Sequence, residues 1–177
     1  RGDHSSMVDL LIRRQQRNPE LNLDMVALRN EAATIFMAGH ETTAATLTWA
    51  WYLLSQATWV EEQVHDEIAR VCGDRVPTID DVPRLDWCRA VINETLRLYP
   101  PVPILARQTK EKDRIGDIDV EPASLVLIVP WLLHRTPSLF EQPHQFRPER
   151  FLGDNRPKPT VSFPLPAGRV CPGQHFG

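Results

Sequence analysis

Cysteine is scarce in this chain, with three among 177 residues. Cys72, Cys88 and Cys171 are too few and too scattered for a disulfide framework, so a reducing compartment and a cytoplasmic location are expected. An excess of one charge is lacking too. The net charge of −3 leaves no basis for nucleic acid as a partner. No secretory leader is visible, an absence of little weight because the chain does not begin with Met. No internal repeat occurs. Proline is nearly missing from the first hundred residues: Pro19, Pro77 and Pro83 are the ones before position 100, and the other thirteen follow. The first part therefore reads as helical, and the last as loops with a little sheet.

Hydrophobic residues make up 42% of the chain and charged residues 24%, the balance of a globular protein. A helix is expected over Ser6–Arg17 and a long one from Asp24 to about Ser55. Apolar residues of the long helix point in nearly every direction, among them Met25, Ile35, Phe36, Leu47, Trp51 and Leu54. Such a helix is buried in a core or spans a membrane. His40, Glu41 and four threonines interrupt the stretch Phe36–Leu54, and a mid-membrane charge costs at least ~2.5 kcal/mol. A central helix of a larger helical protein fits better. Thr58-Trp-Val-Glu61 predicts a capping box opening the next helix, and Gly73 its end. A further helix runs from about Leu85 to Tyr99, with Asp86 as cap and Pro100-Pro101 as stop. Ile115–Val120 and Ser124–Val129 are expected to pair as a hairpin around Glu121-Pro122-Ala123. Residues 135–170 carry no periodicity, and a loop that long is usually functional.

Four constellations carry chemistry. In Ala38-Gly39-His40-Glu41-Thr42-Thr43, Gly39 lets a ligand approach the helix wall. Glu41 there can deliver protons, and Thr42 can bond the carbonyl one turn back or hold a bound water. A satisfied polar cluster explains the same residues equally well. Glu94-Thr-Leu-Arg97 puts two charges on one helix face, an ordinary surface pair when taken alone. Phe146-Arg147-Pro148-Glu149-Arg150-Phe151 changes that reading, because one carboxylate can accept two guanidinium forks. Glu94 between Arg97 and Arg150 ties the long loop to the helix. Arg107 stands in an extended stretch, where it can reach an anion or simply be an edge charge. Finally, Gly168-Arg169-Val-Cys171-Pro-Gly173 sets a lone cysteine beside an arginine and between glycines. The glycines admit a bulky planar group, and the arginine favours thiolate. A thiolate there can serve as an axial haem ligand.

In this order, the motifs resemble the C-terminal half of a cytochrome P450, a haem-thiolate monooxygenase. The resemblance covers Ala38–Thr43, Glu94–Arg97 with Tyr99-Pro100-Pro101, His134-Arg135-Thr-Pro137, Pro148–Phe151 and Arg169–Gly173. Thr46–Ser55 is loosely similar to soluble bacterial members. The resemblance implies a mainly α fold with a small β-hairpin region. It makes residues 1–177 a partial domain, inactive alone, lacking the N-terminal half and the end of the helix after the cysteine. A membrane anchor ahead of it stays open. The implied cofactor is haem b (heme b) with Cys171 as thiolate ligand to iron, which favours O–O cleavage. Arg107 and Arg169 would bind its propionates, with Gly39 and Gly173 giving it room. Glu41 and Thr42 would supply protons, and Glu94, Arg97 and Arg150 would form a structural triad. The implied partners are O2, a hydrophobic small-molecule substrate, and a reductase or ferredoxin as electron donor.

The cysteine loop departs from the family pattern F-x-x-G-x-R-x-C-x-G. Pro164 stands seven residues before Cys171 and Ala167 four before, as though one residue were missing after Gly168. That departure favours a second reading: a degenerate or truncated relative that keeps the scaffold without haem. A zinc site on Cys171 and His175, with His134 or His144, has loose spacing and no second cysteine nearby.

Overall fold

The computed structural model describes residues 7–21, 24–154 and 157. The chain divides into two compact units, Arg1–Ala44 and Ala45–Gly177.

The first unit holds α1 (Met7–Arg17), a 3-10 turn at Pro19–Leu21, and the start of α2 (Met25–Gln56). Asp24 caps α2: its Oδ1 accepts the Ala27 N–H at 2.7 Å, satisfying one of the orphan amides of the first turn. Thirty-two residues form one uninterrupted α-helix. The all-round apolar pattern predicts burial, yet within these residues Met25, Phe36, Trp51 and Tyr52 are exposed. Ala50 and Leu53 are the buried positions of α2, one turn apart on the stripe that meets packed neighbours. No helix among the described residues is long and apolar enough to cross a membrane.

The second unit continues with α3 (Thr58–Cys72), a 3-10 turn at Ile79–Arg84, and α4 (Asp86–Leu98). Four short strands follow: β1 (Leu105–Gln108), β2 (Asp113–Ile115), β3 (Ile118–Val120) and β4 (Leu125–Ile128). The one-turn helix α5 (Pro130–Leu133) and a 3-10 turn at Pro148–Phe151 complete it. Ala50 and Leu53 of α2 join Val60, Cys72, Ala90, Val91, Leu98, Phe140 and Phe151 in its core.

Gly73 ends α3 with φ +59°, a conformation that costs glycine little, and its N–H bonds the Ala69 carbonyl. The start of α3 differs from expectation. Thr58 is already helical, Ala57 holds the cap position, and no side chain caps there. The Thr-x-x-acid signature is used instead at Thr78–Asp81, where the Asp81 carboxylate accepts the Thr78 N–H at 2.8 Å. Asp86 is likewise not a cap but the first residue of α4.

The expected pairing of Ile115–Val120 with Ser124–Val129 is replaced by two antiparallel pairs. β2 pairs with β3, Ile115 opposite Ile118, around a two-residue turn begun by Gly116 at φ +59°. β4 pairs with β1, Leu105 opposite Ile128 and Gln108 opposite Leu125. Thr109 closes the intervening loop. Its hydroxyl donates to the Glu121 carbonyl at 2.7 Å and accepts the Ser124 N–H at 3.0 Å. Gly116 supplies the positive φ that a two-residue hairpin turn needs, so β3 folds back onto β2 rather than forward onto β4.

Candidate functional site

The second unit is built around Arg97. Its Nε donates to Glu94 Oε2 at 2.7 Å, and its Nη2 to Glu94 Oε1 at 2.8 Å. Nη1 donates to the carbonyls of His134 and Pro143, each at 2.7 Å, and Nη2 also to that of Gln145 at 3.0 Å. All five guanidinium N–H groups are thus used. Three of them hold backbone that lies 37 to 48 residues further along the chain. Arg97 is 1% exposed and Glu94 fully buried. Burial of these charges is tolerable because each is paired and hydrogen-bonded. The guanidinium also sits 5.1 Å from the Phe140 ring centroid.

Glu94 Oε1 accepts two further bonds, from the Arg147 backbone N–H at 2.8 Å and from Arg150 Nε at 3.2 Å. Glu94, Arg97 and Arg150 therefore meet, and the irregular segment 134–150 is bound to α4 by its backbone as much as by its charges. His134 returns the contact. Its buried Nδ1–H donates to the Arg97 carbonyl at 3.0 Å. Arg135 Nη2 bonds the Leu98 carbonyl at 2.5 Å, and its guanidinium lies over the Trp131 ring at 4.3 Å. Burial is the first cause pulling Arg135 below the usual arginine value, and neighbouring Arg97 the second.

Gly39, Glu41 and Thr42 lie on α2 within the first unit. A side chain at Gly39 would meet nothing within 4 Å, so the helix wall is open there. Thr42 Oγ1 donates to the Ala38 carbonyl at 2.7 Å, the back-bond expected of threonine inside a helix. His40 stacks on Phe36 with centroids 5.8 Å apart, while Glu41 is exposed. Arg107 lies on β1, exposed, with one Nη1 bond to its neighbour's carbonyl at Ala106. A solvent-facing guanidinium fork fits a carboxylate ligand. An open apolar cavity of about 520 Å³ lies between Ala45, Trp49, Tyr99, Pro103, Ile104 and Trp131. Trp49 and Tyr99 stack there at 3.9 Å, nearly parallel. Arg169, Cys171 and Gly173 lie outside the described residues. No group of three or more His, Cys, Asp or Glu able to hold a metal ion occurs among the described residues.

Two further acids escaped the sequence reading. Asp81, 1% exposed, receives the Arg75 fork at 2.6 and 2.5 Å, the Thr78 hydroxyl and Arg84. The Arg75 fork holds the Asp81 carboxyl well below the usual carboxylate range, and the bond raises Arg75 in turn. Glu67 on α3 accepts the N–H groups of Trp87 and Cys88 in the first turn of α4. The Thr-x-x-Asp spacing was a usable signal for Asp81. Glu67 gave none, because its donors lie 20 and 21 residues away.

The site defines a helical protein in which a buried Glu-x-x-Arg pair anchors a long irregular segment. The family model for Cytochrome P450 matches residues 1–177, and the chain belongs to that family. It is 38% identical over 179 residues to cyclooctatin synthase of Streptomyces melanosporofaciens, covering 99% of this chain and 39% of the relative. It is 39% identical over 154 residues to human cytochrome P450 4V2, covering 84% of this chain and 29% of the relative. A zebrafish cytochrome P450 structure with progesterone superposes with a TM-score of 0.84 at 31% identity, covering 97% of this chain and 40% of that one. The chain thus spans about two fifths or less of the length of these relatives. The mainly helical fold with small antiparallel sheets is that of part of a cytochrome P450.

Proposed function

We propose that this chain is the C-terminal part of a haem-thiolate monooxygenase that inserts one oxygen atom of O2 into a hydrophobic organic substrate. The observation carrying the reading is the family match over residues 1–177, joined to the Glu94–Arg97–Arg150 clamp. Bound haem supplies O2 binding and O–O cleavage. The chain's own residues do the rest. Cys171 supplies the thiolate ligand, and Arg169 beside it favours the deprotonated sulfur. Arg107 and Arg169 bind the propionates, while Gly39 and Gly173 leave room for the ring. Glu41 carries protons toward the oxygen site, and the Thr42 hydroxyl turns from the Ala38 carbonyl to hold them there. The apolar cavity beside Trp49 and Tyr99 supports a hydrophobic ligand. Two electrons come from a reductase or ferredoxin.

The test is the carbon monoxide difference spectrum of the reduced full-length protein with the Cys171 loop unchanged. A red-shifted Soret band of the thiolate type is expected, and its loss in Cys171→Ala. Haem bound without that shift removes Cys171 from the ligand role. Thr42→Ala is expected to keep the spectrum yet divert reductant into hydrogen peroxide. Unaltered coupling of reductant use to product counts against the role of Thr42.

One observation favours a second reading, a relative that binds no haem: Pro164 and Ala167 stand where the family pattern has Phe and Gly. Absence of any Soret band in the full-length protein selects it.

A further inference from the structure

Cys88 stands where a thiol is ordinarily activated. It is the third residue of α4, and the amide dipoles of a helix N-terminus favour thiolate over thiol. That helix end is already taken. The cap residue, Leu85, offers no side-chain acceptor. Glu67, its side chain 1% exposed, reaches across from α3 instead. It accepts the Trp87 N–H at 2.9 Å and the Cys88 N–H at 3.1 Å. The other charged and titratable groups nearby are Arg70, 4.0 Å from Glu67, and Cys72 on α3, with the Asp86–Arg89 pair on α4.

We propose that Glu67 protects Cys88. By occupying the N-terminus of α4, its carboxylate denies the sulfur that end as a place for negative charge, and keeps a half-buried cysteine unreactive toward electrophiles and oxidants. The thiol is pushed up to about 11, by burial first and by Glu67 next. Neither effect depends on the haem reading.

Iodoacetamide labelling of the full-length protein, with peptide mapping by mass spectrometry, tests this directly. In that reaction the thiolate sulfur displaces iodide from the CH2 carbon and an S–C bond forms. Glu67→Gln keeps the shape and one carbonyl acceptor but removes the charge. Labelling of Cys88 is expected to quicken by about tenfold or more, the effect of one unit in thiol acidity, with Cys72 unchanged. Equal Cys88 rates in the two proteins overturn the proposal. So does a parallel rise at Cys72, which reports opening of the α3–α4 contact instead. The wild-type pH profile gives a reading that needs no variant. A Cys88 rate still climbing above about pH 10 supports protection, and one that levels off near the ordinary thiol value of about 8.5 refutes it.

Discussion

Around Glu94 both the acid and its principal arginine are buried, whereas around Asp81 only the acid is. Arg97 is 1% exposed; Arg75 and Arg84 are 48% and 57% exposed. The two clusters contain the same chemistry and do different work. Arg97 spends three donors on carbonyls 37 to 48 residues away, so it fixes a distant segment against α4. Arg75 and Arg84 reach an acid six and three residues away, so they fix only the connection between α3 and α4. A buried guanidinium has no water to replace a lost acceptor, and must find every partner in the protein. An exposed one recovers hydration when its partner goes. Long-range order is thus concentrated in the cluster that cannot fall back on solvent.

Removing Arg97 breaks this contrast most severely. Arg97→Ala strands Glu94 Oε2 and three backbone carbonyls, leaving Oε1 to the Arg147 N–H and Arg150, and is expected to destabilise the full-length protein by ~3–5 kcal/mol in urea unfolding. Arg97→Lys should recover little of this, since an ammonium cannot span both Glu94 oxygens and the carbonyls. If Lys restores stability, charge rather than the fork geometry holds the segment. Arg150→Ala leaves Glu94 paired with Arg97 and bonded to the Arg147 N–H, so about 1.5–3 kcal/mol is expected. A loss equal to that of Arg97→Ala would show that the clamp has no hub.

Asp81→Asn sharpens the comparison through pH. The folded carboxyl is held below its unfolded value of about 3.9, so in that range the unfolded chain binds more protons than the folded one. Stability from this group is fully present above the unfolded value and drains away as pH falls toward the folded one. In urea melts, the difference between wild type and Asp81→Asn is therefore constant from neutral pH down to about pH 5, and shrinks below about pH 4. A difference unchanged at about pH 3 would place the proton uptake elsewhere.

The helices were legible: an apolar run read to about Ser55 stops within one residue of the end of α2, Gly73 ends α3, and α4 closes just before Pro100-Pro101. The Glu94–Arg97 pair was visible from its spacing. Its burial was suggested by Phe146 and Phe151 around Arg147-Pro148-Glu149-Arg150, but its backbone partners were not, since the carbonyls of residues 134, 143 and 145 carry no sequence mark. The sheet was misread at its turn. Gly116 supplies the positive φ that a two-residue hairpin turn needs, so β3 is taken by β2, and β4 pairs with β1 across residues 109–124. Capping failed at Thr58 and succeeded at Thr78 because Thr-x-x-acid occurs at both places, and only at Thr78 do two arginines also converge on the acid. Glu67 lay beyond reach altogether, as a cap delivered from another helix leaves no local pattern.

Arg84→Ala is the gentlest break. Arg84 touches Asp81 at one oxygen, while Arg75 grips both. With Arg84 gone, Asp81 keeps the Arg75 fork, the Thr78 N–H and the Thr78 hydroxyl, so no polar atom is stranded. The arginine itself is more than half exposed and returns to water. The midpoint shift in urea should be the smallest of the series. What remains of it should shrink in 1 M salt, where screening acts within about 3 Å. The Arg97→Ala loss should hold at the same salt, because ions do not enter a fully buried pair. If salt erodes both equally, the Glu94 cluster is wetter than its burial indicates, and the distinction between hub and rim collapses.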